Sequence, residues 1–212
     1  MSIDAYRGPA FTSEPLHKKM LHKDPFEQFR RWYTEAEEKC SNYANPMSLA
    51  TCGSDRQPVA RTVLLKGFDS KGFNFYTNYL SRKGRQLSEN PRASACFYWE
   101  ELERQVIIIG QVSKMSEEES DDYYLTRPRG SQIGAHVSQQ SQPIESRKML
   151  EDQANRLEAE YFDKPVPRPK NWGGYRLIPQ SIEFWQGQPD RLHDRFIYEK
   201  NNGDWSISRY AP

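Results

Sequence analysis

Polar and hydrophobic positions change their spacing along the chain, and the changes divide it into an arm, a helix and a series of strands. Residues 1–23 are mostly polar and are interrupted by Pro9 and Pro15, which predicts a mobile N-terminal arm. Asp24-Pro25 then has the form of a helix start, a carboxylate N-cap followed by proline at the first helical position. Over residues 26–40 apolar side chains recur at helical spacing, so we expect one amphipathic helix there.

Beyond residue 40 the apolar runs shorten and turn residues separate them, which is typical of β-strands. Helices are predicted over residues 81–90, 116–126 and 144–162, the first two opened by serine N-caps. Strands and helices do not alternate regularly, so we expect a mainly β fold with peripheral helices (α+β), built as an antiparallel barrel in one domain over residues 24–212. The predicted strands cover residues 47–52, 60–65, 73–77, 93–99, 105–112, 174–178, 181–186, 195–199 and 205–210.

Composition limits the kinds of partner. The 212 residues are 36% hydrophobic and carry a formal net charge of +1, so there is no general attraction to nucleic acid or to an anionic membrane. The three cysteines are scattered and form no Cys-x-x-Cys pair, which indicates reduced thiols and no metal site. No apolar run approaches membrane-spanning length and the N-terminus has no apolar signal core, so we expect a cytoplasmic protein.

Local clusters of cations are the candidate chemistry, and the densest is the segment 191–195. If this segment is extended, Arg191, His193 and Arg195 share a face and repel one another unless an anion is bound there. The alternative is a solvent-exposed strand end with Asp194 as a local counter-ion, and the segment alone favours that alternative.

Two further clusters lie near predicted strand ends. Arg61 and Lys66 bracket an apolar strand with opposite parity, so either they serve different groups or the strand bends after Lys66. Tyr76 and Thr77 lead into a helix start that carries Arg82 and Lys83, where cations are unfavourable for the helix but a bound anion would be favoured. Taken alone, the pair Arg61 and Lys66 is better explained as the polar ends of a core strand.

A fourth cluster precedes a proline. Tyr123 and Arg127 are four residues apart and share a predicted helix face, with Ser131 shortly after; a basic helix C-terminus would explain them equally well. Gln140 and Ser141 add neutral hydrogen-bonding groups. The residues by themselves therefore predict a barrel that binds one or more phosphorylated organic ligands, and they do not identify the reaction.

Six motifs in order make the chain resemble the pyridoxine/pyridoxamine 5'-phosphate oxidase family, over nearly the whole length from residue 24 onward. The motifs occupy residues 61–66, 75–78 with 81–83, 103–106, 131–135, 183–187 and 191–195, and the C-terminal residues 205–212 fit as well. The resemblance implies an FMN-binding split β-barrel that forms a homodimer, with two sites built between the subunits.

The resemblance also implies roles for individual residues. The residues implied to bind the substrate are Lys66, Tyr123, Arg127, Ser131, Arg191 and His193, of which Arg191 and His193 would be catalytic and Lys66 would also reach the cofactor. The residues implied to bind FMN are Arg61, Tyr76, Thr77, Arg82, Lys83, Gln105, Gln140, Ser141, Trp185 and Arg195.

The implied reaction converts pyridoxamine or pyridoxine 5'-phosphate to pyridoxal 5'-phosphate. In this family the C4' hydrogen passes to the flavin, O2 is reduced to H2O2, and the amine substrate releases ammonia. Family members often carry basic residues just before a tyrosine in the arm; here residues 3–5 are Ile, Asp and Ala, so only Tyr6 and Arg7 could replace that contact. The alternatives are another split-barrel flavin reductase, or a non-catalytic carrier of flavin or pyridoxal phosphate.

Overall fold

Nine strands form one antiparallel sheet in the computed structural model, which describes residues 11–212. The strands are β1 (Pro46–Cys52), β2 (Pro58–Leu64), β3 (Gly67–Asp69), β4 (Gly72–Asn78), β5 (Arg92–Trp99), β6 (Arg104–Lys114), β7 (Trp172–Gln186), β8 (Asp194–Asn201) and β9 (Asp204–Tyr210). The α-helices of the same residues are α1 (Pro25–Lys39), α2 (Arg82–Glu89), α3 (Glu117–Leu125), α4 (Arg129–Val137) and α5 (Arg147–Glu160).

The sheet divides at β7, which has β6 along one edge and two different strands along the other. Its first half pairs with β4, ending at the Phe73–Leu177 pair, and its second half pairs with β8, starting at the Ser181–Glu199 pair. The order is β2-β1-β5-β6-β7-β4-β3, with β8 and β9 continuing from the second half of β7. The curled antiparallel sheet with helices outside it confirms the predicted mainly β, split-barrel fold.

The change of partner explains why one strand was predicted as two. The sequence predicts strands over 174–178 and 181–186 because Pro179 interrupts the pattern, and this prediction was wrong: β7 is continuous. Proline lacks an N–H group and is tolerated here because it lies between the residues that pair with β4 and those that pair with β8. The register with β6 shifts between Ile109 and Gly110, where a Cβ on Gly110 would lie 2.0 Å from the Ile178 carbonyl oxygen.

Aromatic side chains fill the interior between the sheet and α1. Phe29 of α1 is fully buried and packs edge-on against Phe73 of β4 and Phe97 of β5, with ring centroids 4.9 and 5.2 Å away. Trp32, one turn further along, packs edge-on against Phe184 of β7. Rings in this arrangement add to the hydrophobic burial, so α1 holds together strands from both halves of the sheet.

The helix starts follow the capping residues. Asp24 accepts a hydrogen bond from the Phe26 amide, Ser81 accepts one from the Gly84 amide, and Ser116 with Glu119 forms the predicted capping box. The prediction missed α4, which begins directly after Pro128 and buries Ile133 and Val137 one turn apart. The helix predicted over 144–162 is shorter because Ser146 caps α5.

Residues 11–23 of the predicted arm lie against the sheet. Leu16 is buried and its amide donates to the Asp194 carboxylate at 2.8 Å, while Glu103 accepts hydrogen bonds from the amides of Thr12 and Ser13. Tyr6 and Arg7 lie outside the described residues, and the mobility of the arm stays a prediction. Within residues 11–212, no helix is both long and apolar enough to cross a membrane.

Candidate functional site

A cavity of about 590 Å³ lies where β2 and β4 meet the loop before α4. Its walls bring together three of the four clusters that the sequence singles out, although the cluster residues that line it lie up to 65 residues apart along the chain, from Lys66 to Ser131. Eight of its lining residues are predicted substrate or FMN contacts. The lining residues are Thr62, Val63, Leu64, Lys66, Tyr76, Thr77, Lys83, Tyr123, Thr126, Arg127, Pro128, Ser131, Gln140 and Trp172.

The floor of the cavity holds a buried lysine with only neutral partners. The Lys83 Nζ donates to Thr77 Oγ1 at 3.1 Å and to Gln140 Oε1 at 2.8 Å. Burial, together with the nearby Arg61 charge, lowers the pKa of Lys83 to about 8. A buried ammonium without a carboxylate is unfavourable until an anion compensates it, so this group is suited to an anionic ligand.

Arg61 and Arg82 extend the positive charge around the start of α2. Arg61 donates to the Thr51 hydroxyl at 2.5 Å and to the Leu49 carbonyl at 3.1 Å, and its pKa is lowered by burial and then by Arg82. Arg82 is exposed, and its backbone amide donates to the Ser141 hydroxyl at 3.1 Å. β2 ends at Leu64, so the strand parity expected to relate Arg61 and Lys66 does not apply; Lys66 lines the cavity and Arg61 does not.

Arg127 is a partly buried cation in the wall of the cavity. Its Nη1 is buried and makes no hydrogen bond to any of residues 11–212. Burial lowers the pKa of the Arg127 guanidinium. Buried polar atoms are nearly always paired, so an orphaned Arg nitrogen in a cavity wall indicates a place for an acceptor from a ligand.

None of the cavity's cations is neutralised by an acid. Within residues 11–212, the salt bridges include none made by Lys66, Lys83 or Arg127, nor by the adjoining Arg61 and Arg82. Most arginines elsewhere on the molecule do pair: Arg104, Arg168, Arg176 and Arg195 each contact a carboxylate. Five cations without an acidic partner are therefore gathered in and beside the cavity, which favours anion binding there.

Stacked aromatic rings form the wall beside Arg127. The Tyr76 and Tyr123 rings stack with centroids 3.8 Å apart, and Trp172 lies nearly parallel to Tyr76 at 5.6 Å. Burial, and then the neighbouring Tyr123, raise the pKa of Tyr76 to about 12. The Tyr76 phenol therefore stays neutral at ordinary pH, and the wall combines flat apolar faces with hydroxyl donors, as an aromatic ligand with an anionic group requires.

The remaining predicted residues form a second group on the sheet. Gln105, Trp185 and Arg195 stand directly opposite one another on β6, β7 and β8, so they share one face. Arg195 makes a bidentate ion pair with Glu183, at 2.8 and 3.0 Å, and its third donor reaches the Ala211 carbonyl at 2.9 Å. Its pKa is raised chiefly by the Glu183 hydrogen bond.

His193 joins this second group, whereas Arg191 stands apart from the strand. The His193 ring lies 4.7 Å from the Trp185 ring and 5.2 Å from that of Phe11. The segment 191–195 is not extended throughout: Arg191 ends a 3-10 turn with a φ of 61°, and β8 begins only at Asp194. Asp194 also is not a counter-ion of its neighbours, since it binds the Leu16 amide and Arg209.

One protomer does not bring the two groups together. None of Gln105, Trp185, Arg191, His193 and Arg195 lines the cavity. Instead the row that contains Gln105, Trp185 and Arg195 belongs to a surface that we call the open sheet face, the outer side of β5, β6, β7, β8 and β9. Large side chains are exposed on it, including Tyr98 (55%), Ile109 (49%) and Tyr210 (41%).

A second cavity of the same volume has different chemistry. It lies at the end of α1, lined by residues 41–45 with Tyr33 and Glu37. Its one ionisable side chain besides tyrosine is an acid, so it lacks the charge that a phosphorylated ligand requires. The two cavities have the same volume, so volume does not show which one suits a phosphorylated ligand. The cations of the first cavity do.

Some residues of the site were missed from the sequence. Trp172 lines the cavity but opens a strand, where an isolated tryptophan is usually explained as core. Gln86 lies on α2 one turn after Lys83 and accepts from Thr51 Oγ1 at 2.7 Å and from Arg61 at 3.3 Å. The three-residue spacing from Lys83 could have placed it on the same helix face.

Two family models cover most of the chain. The model described as pyridoxamine 5'-phosphate oxidase matches residues 33–161, and that described as the pyridoxine 5'-phosphate oxidase C-terminal dimerisation region matches residues 172–212. The first includes every predicted residue of the cavity. The second includes Trp185, His193 and Arg195, so the boundary between the family models separates the two groups in nearly the same way as the structure does.

Curated relatives share about half of their residues with the chain. The pyridoxine/pyridoxamine 5'-phosphate oxidase of Aliarcobacter butzleri is 54% identical over 203 residues, covering 95% of this chain and 96% of the relative. That of Burkholderia lata is 55% identical over 205 residues, covering 95% of both chains.

Solved structures share the fold. PhzG from Burkholderia lata, crystallised in complex with tetrahydrophenazine-1-carboxylic acid, superposes with a TM-score of 0.90 at 31% identity, covering 96% of this chain and 100% of the other. A pyridoxamine 5'-phosphate oxidase-related, FMN-binding protein from Nostoc punctiforme superposes with a TM-score of 0.72 at 19% identity, covering 91% and 100%. The second likeness supports the fold alone.

Proposed function

Because this chain belongs to the pyridoxamine 5'-phosphate oxidase family, we propose that it oxidises pyridoxamine and pyridoxine 5'-phosphate to pyridoxal 5'-phosphate, using FMN and O2. The observation that carries the proposal is the cavity with buried cations that no acid neutralises. When bound, FMN supplies the two-electron acceptor that passes the electrons to O2 and yields H2O2.

The residues around the start of α2 fit the phosphate of FMN. Lys83 donates only to neutral partners, and its pKa is lowered by burial and by the Arg61 charge, as that of Arg61 is by burial and by Arg82. A phosphate dianion placed among these groups would accept charge-assisted hydrogen bonds and remove the mutual repulsion. A single phosphate site without a dinucleotide loop supports FMN rather than FAD.

The opposite wall fits the substrate phosphate. Arg127 presents an unpaired buried donor, Lys66 and Ser131 line the same cavity, and Tyr123 adds a neutral hydroxyl. Charge and hydroxyl donors together suit a phosphate monoester. Their task is to bind and orient the substrate, so that its reactive carbon lies at a fixed distance from the flavin.

The second group supports a homodimer with shared sites. The open sheet face carries Gln105, Trp185 and Arg195, lies mainly in the region that matches the family's dimerisation model, and exposes large side chains. Such a patch is characteristic of an interface. We infer that a second copy covers this face, and that Arg191, His193 and Arg195 complete the partner's cavity.

A phenazine-type substrate is the competing proposal, because PhzG was crystallised with one. The two relatives from Burkholderia lata weigh against it: this chain is 55% identical to the pyridoxine/pyridoxamine 5'-phosphate oxidase of that bacterium and 31% identical to its PhzG. The number of unpaired cations also suits a phosphate dianion better than a single carboxylate.

Purified protein supplied with each candidate substrate tests the proposal. We expect H2O2 and pyridoxal 5'-phosphate from pyridoxamine 5'-phosphate without any nicotinamide donor, and FMN as the flavin released on denaturation. Turnover only with tetrahydrophenazine-1-carboxylic acid would make it a phenazine-type oxidase, and turnover only with a nicotinamide donor would make it a reductase. Bound flavin with no turnover of any substrate would indicate that the protein is a non-catalytic carrier.

A further inference from the structure

Arg127 is held in place by aromatic rings, whereas most other partly buried arginines among residues 11–212 are held by acids. Its Cζ lies 4.4 Å from the centroid of the Trp172 ring and 5.6 Å from that of Tyr124. Within residues 11–212 its Nη1 has no hydrogen-bond partner and no carboxylate forms a salt bridge with it. An indole face is the most favourable aromatic surface for a cation.

We propose that Trp172 is a positioning residue for anion binding: its indole face fixes the Arg127 guanidinium while leaving the N–H donors available to an anion in the cavity. A carboxylate in the same place would orient the guanidinium equally well, but it would occupy those donors and cancel the charge. The inference rests on the proposed function in one respect, namely that the anion is the substrate's phosphate.

Trp172 is itself held firmly, as a positioning residue must be. The Arg168 Nη1 donates to the Trp172 carbonyl at 2.6 Å, and its Nε donates to Asp121 of α3 at 2.6 Å. The Arg168 side chain is 6% exposed and that of Asp121 is 55% exposed, so a buried arginine links α3 to the start of β7. The Trp172 ring also stacks on Tyr76, with centroids 5.6 Å apart. The ring therefore has a fixed plane against which Arg127 rests.

A second arginine–tryptophan contact provides a matched control. The Arg104 Cζ lies 4.6 Å from the Trp32 ring, almost the same distance, but Arg104 also pairs with Glu35 at 2.5 Å and with Gln186 at 2.9 Å. Neither Trp32 nor Arg104 lines the cavity. Losing this indole should therefore reduce stability without affecting anion binding.

The test compares Trp172→Leu, Trp172→Phe and Trp32→Leu in the FMN-loaded protein. Two quantities are measured: kcat and KM for pyridoxamine 5'-phosphate, and the inhibition constant of inorganic phosphate, checked by calorimetric titration. For Trp172→Leu we expect KM and the phosphate constant to rise on the order of tenfold, with kcat within about twofold of the original. Trp172→Phe should retain most of the affinity, and Trp32→Leu should change neither constant while lowering the Tm.

A double variant separates positioning from general packing. If Trp172 acts through Arg127, Trp172→Leu adds no further loss of phosphate affinity to Arg127→Ala. The inference is overturned if Trp172→Leu keeps its KM, if kcat and FMN retention fall along with the rise in KM, or if the two substitutions are additive. Phosphate titration remains informative even if pyridoxamine 5'-phosphate is not a substrate, so failure of the proposed function is seen separately as absence of turnover by the unaltered protein.

Discussion

The cavity and the open sheet face carry cations in opposite electrostatic states. In the cavity, the buried Lys83 donates only to neutral groups, and the partly buried Arg127 has a buried Nη1 without a hydrogen-bond partner among residues 11–212. On the sheet face, Arg195 is fully engaged by Glu183 and the Ala211 carbonyl. Unpaired buried cations are unfavourable until a ligand arrives, whereas a paired arginine costs little. The difference indicates that the cavity provides ligand affinity, and that the sheet face provides assembly and completes the site.

The largest expected effect comes from separating the two regions. Ile109→Asp places a charge at the centre of the open sheet face, so we expect the dimer to dissociate and FMN affinity to fall at least about a hundredfold. Sedimentation velocity and FMN titration measure the two losses. Ile144→Asp, at a side chain of similar exposure (47%) away from this face, is the control and should keep both properties. A monomeric Ile109→Asp protein that retains FMN would contradict the shared site.

Removing Arg127 from the cavity wall should have the next largest effect. Arg127→Ala should lower kcat/KM for pyridoxamine 5'-phosphate about a hundredfold, mainly through KM, since a charge-assisted contact contributes about 1.5–3 kcal/mol. Arg129→Ala is the matched control, because Arg129 binds Glu158 and the Tyr161 carbonyl outside the cavity. Steady-state kinetics on both variants measure the effect. Equal losses of kcat/KM in the two variants would contradict the role assigned to Arg127.

Substitutions on the second group should separate substrate handling from flavin retention. Arg191→Leu or His193→Ala should lower kcat/KM about tenfold to a hundredfold while FMN stays bound. If Arg191 and His193 only form a solvent-exposed turn, each substitution should change the activation free energy derived from kcat/KM by no more than about 0.5 kcal/mol. Kinetics and bound FMN are measured on the same samples. Near-normal efficiency with full FMN occupancy would show that the assigned role is wrong for that residue.

The smallest expected effect is a pH dependence centred on Lys83. Its pKa of about 8 lies below the ordinary 10.5, so the unfolded chain binds more protons between these values. The stability of the flavin-free protein should therefore rise with pH across that window. A bound phosphate would raise the pKa again, so FMN affinity should fall above about pH 8, by up to about tenfold per pH unit. FMN titrations over this range measure it; Lys83→Arg should give a flat profile, and a flat profile in the unaltered protein would contradict the assignment.

Sequence patterns predicted the strands and helix starts well because those depend on local chemistry. Ser81 and Ser116 cap their helices through their own side chains, and short apolar runs became strands as expected. The continuity of β7 through Pro179 could not be predicted, since it depends on a change of neighbouring strand that only the assembled sheet defines.

The site was predicted as a set of residues and not as two groups. Residues such as Lys66, Arg127 and Ser131 can each be explained separately as ordinary polar positions at the end of a strand or helix. Only the fold shows that they line one cavity. The orientation of Arg127 by Trp172 lay beyond any sequence pattern, because it rests on a contact across 45 residues of chain. Likewise, the pairing of Arg195 with Glu183 arises between neighbouring strands.

An anaerobic absorbance spectrum tests the central claim most directly. The purified protein should show the yellow flavin band, lose it when pyridoxamine 5'-phosphate is added without oxygen, and recover it with formation of H2O2 when air is admitted. The same protein should keep its band when pyridoxamine without the phosphate is added at equal concentration, because the cations of the cavity would have no anion to bind. A flavin band that pyridoxamine 5'-phosphate leaves unchanged would contradict the account.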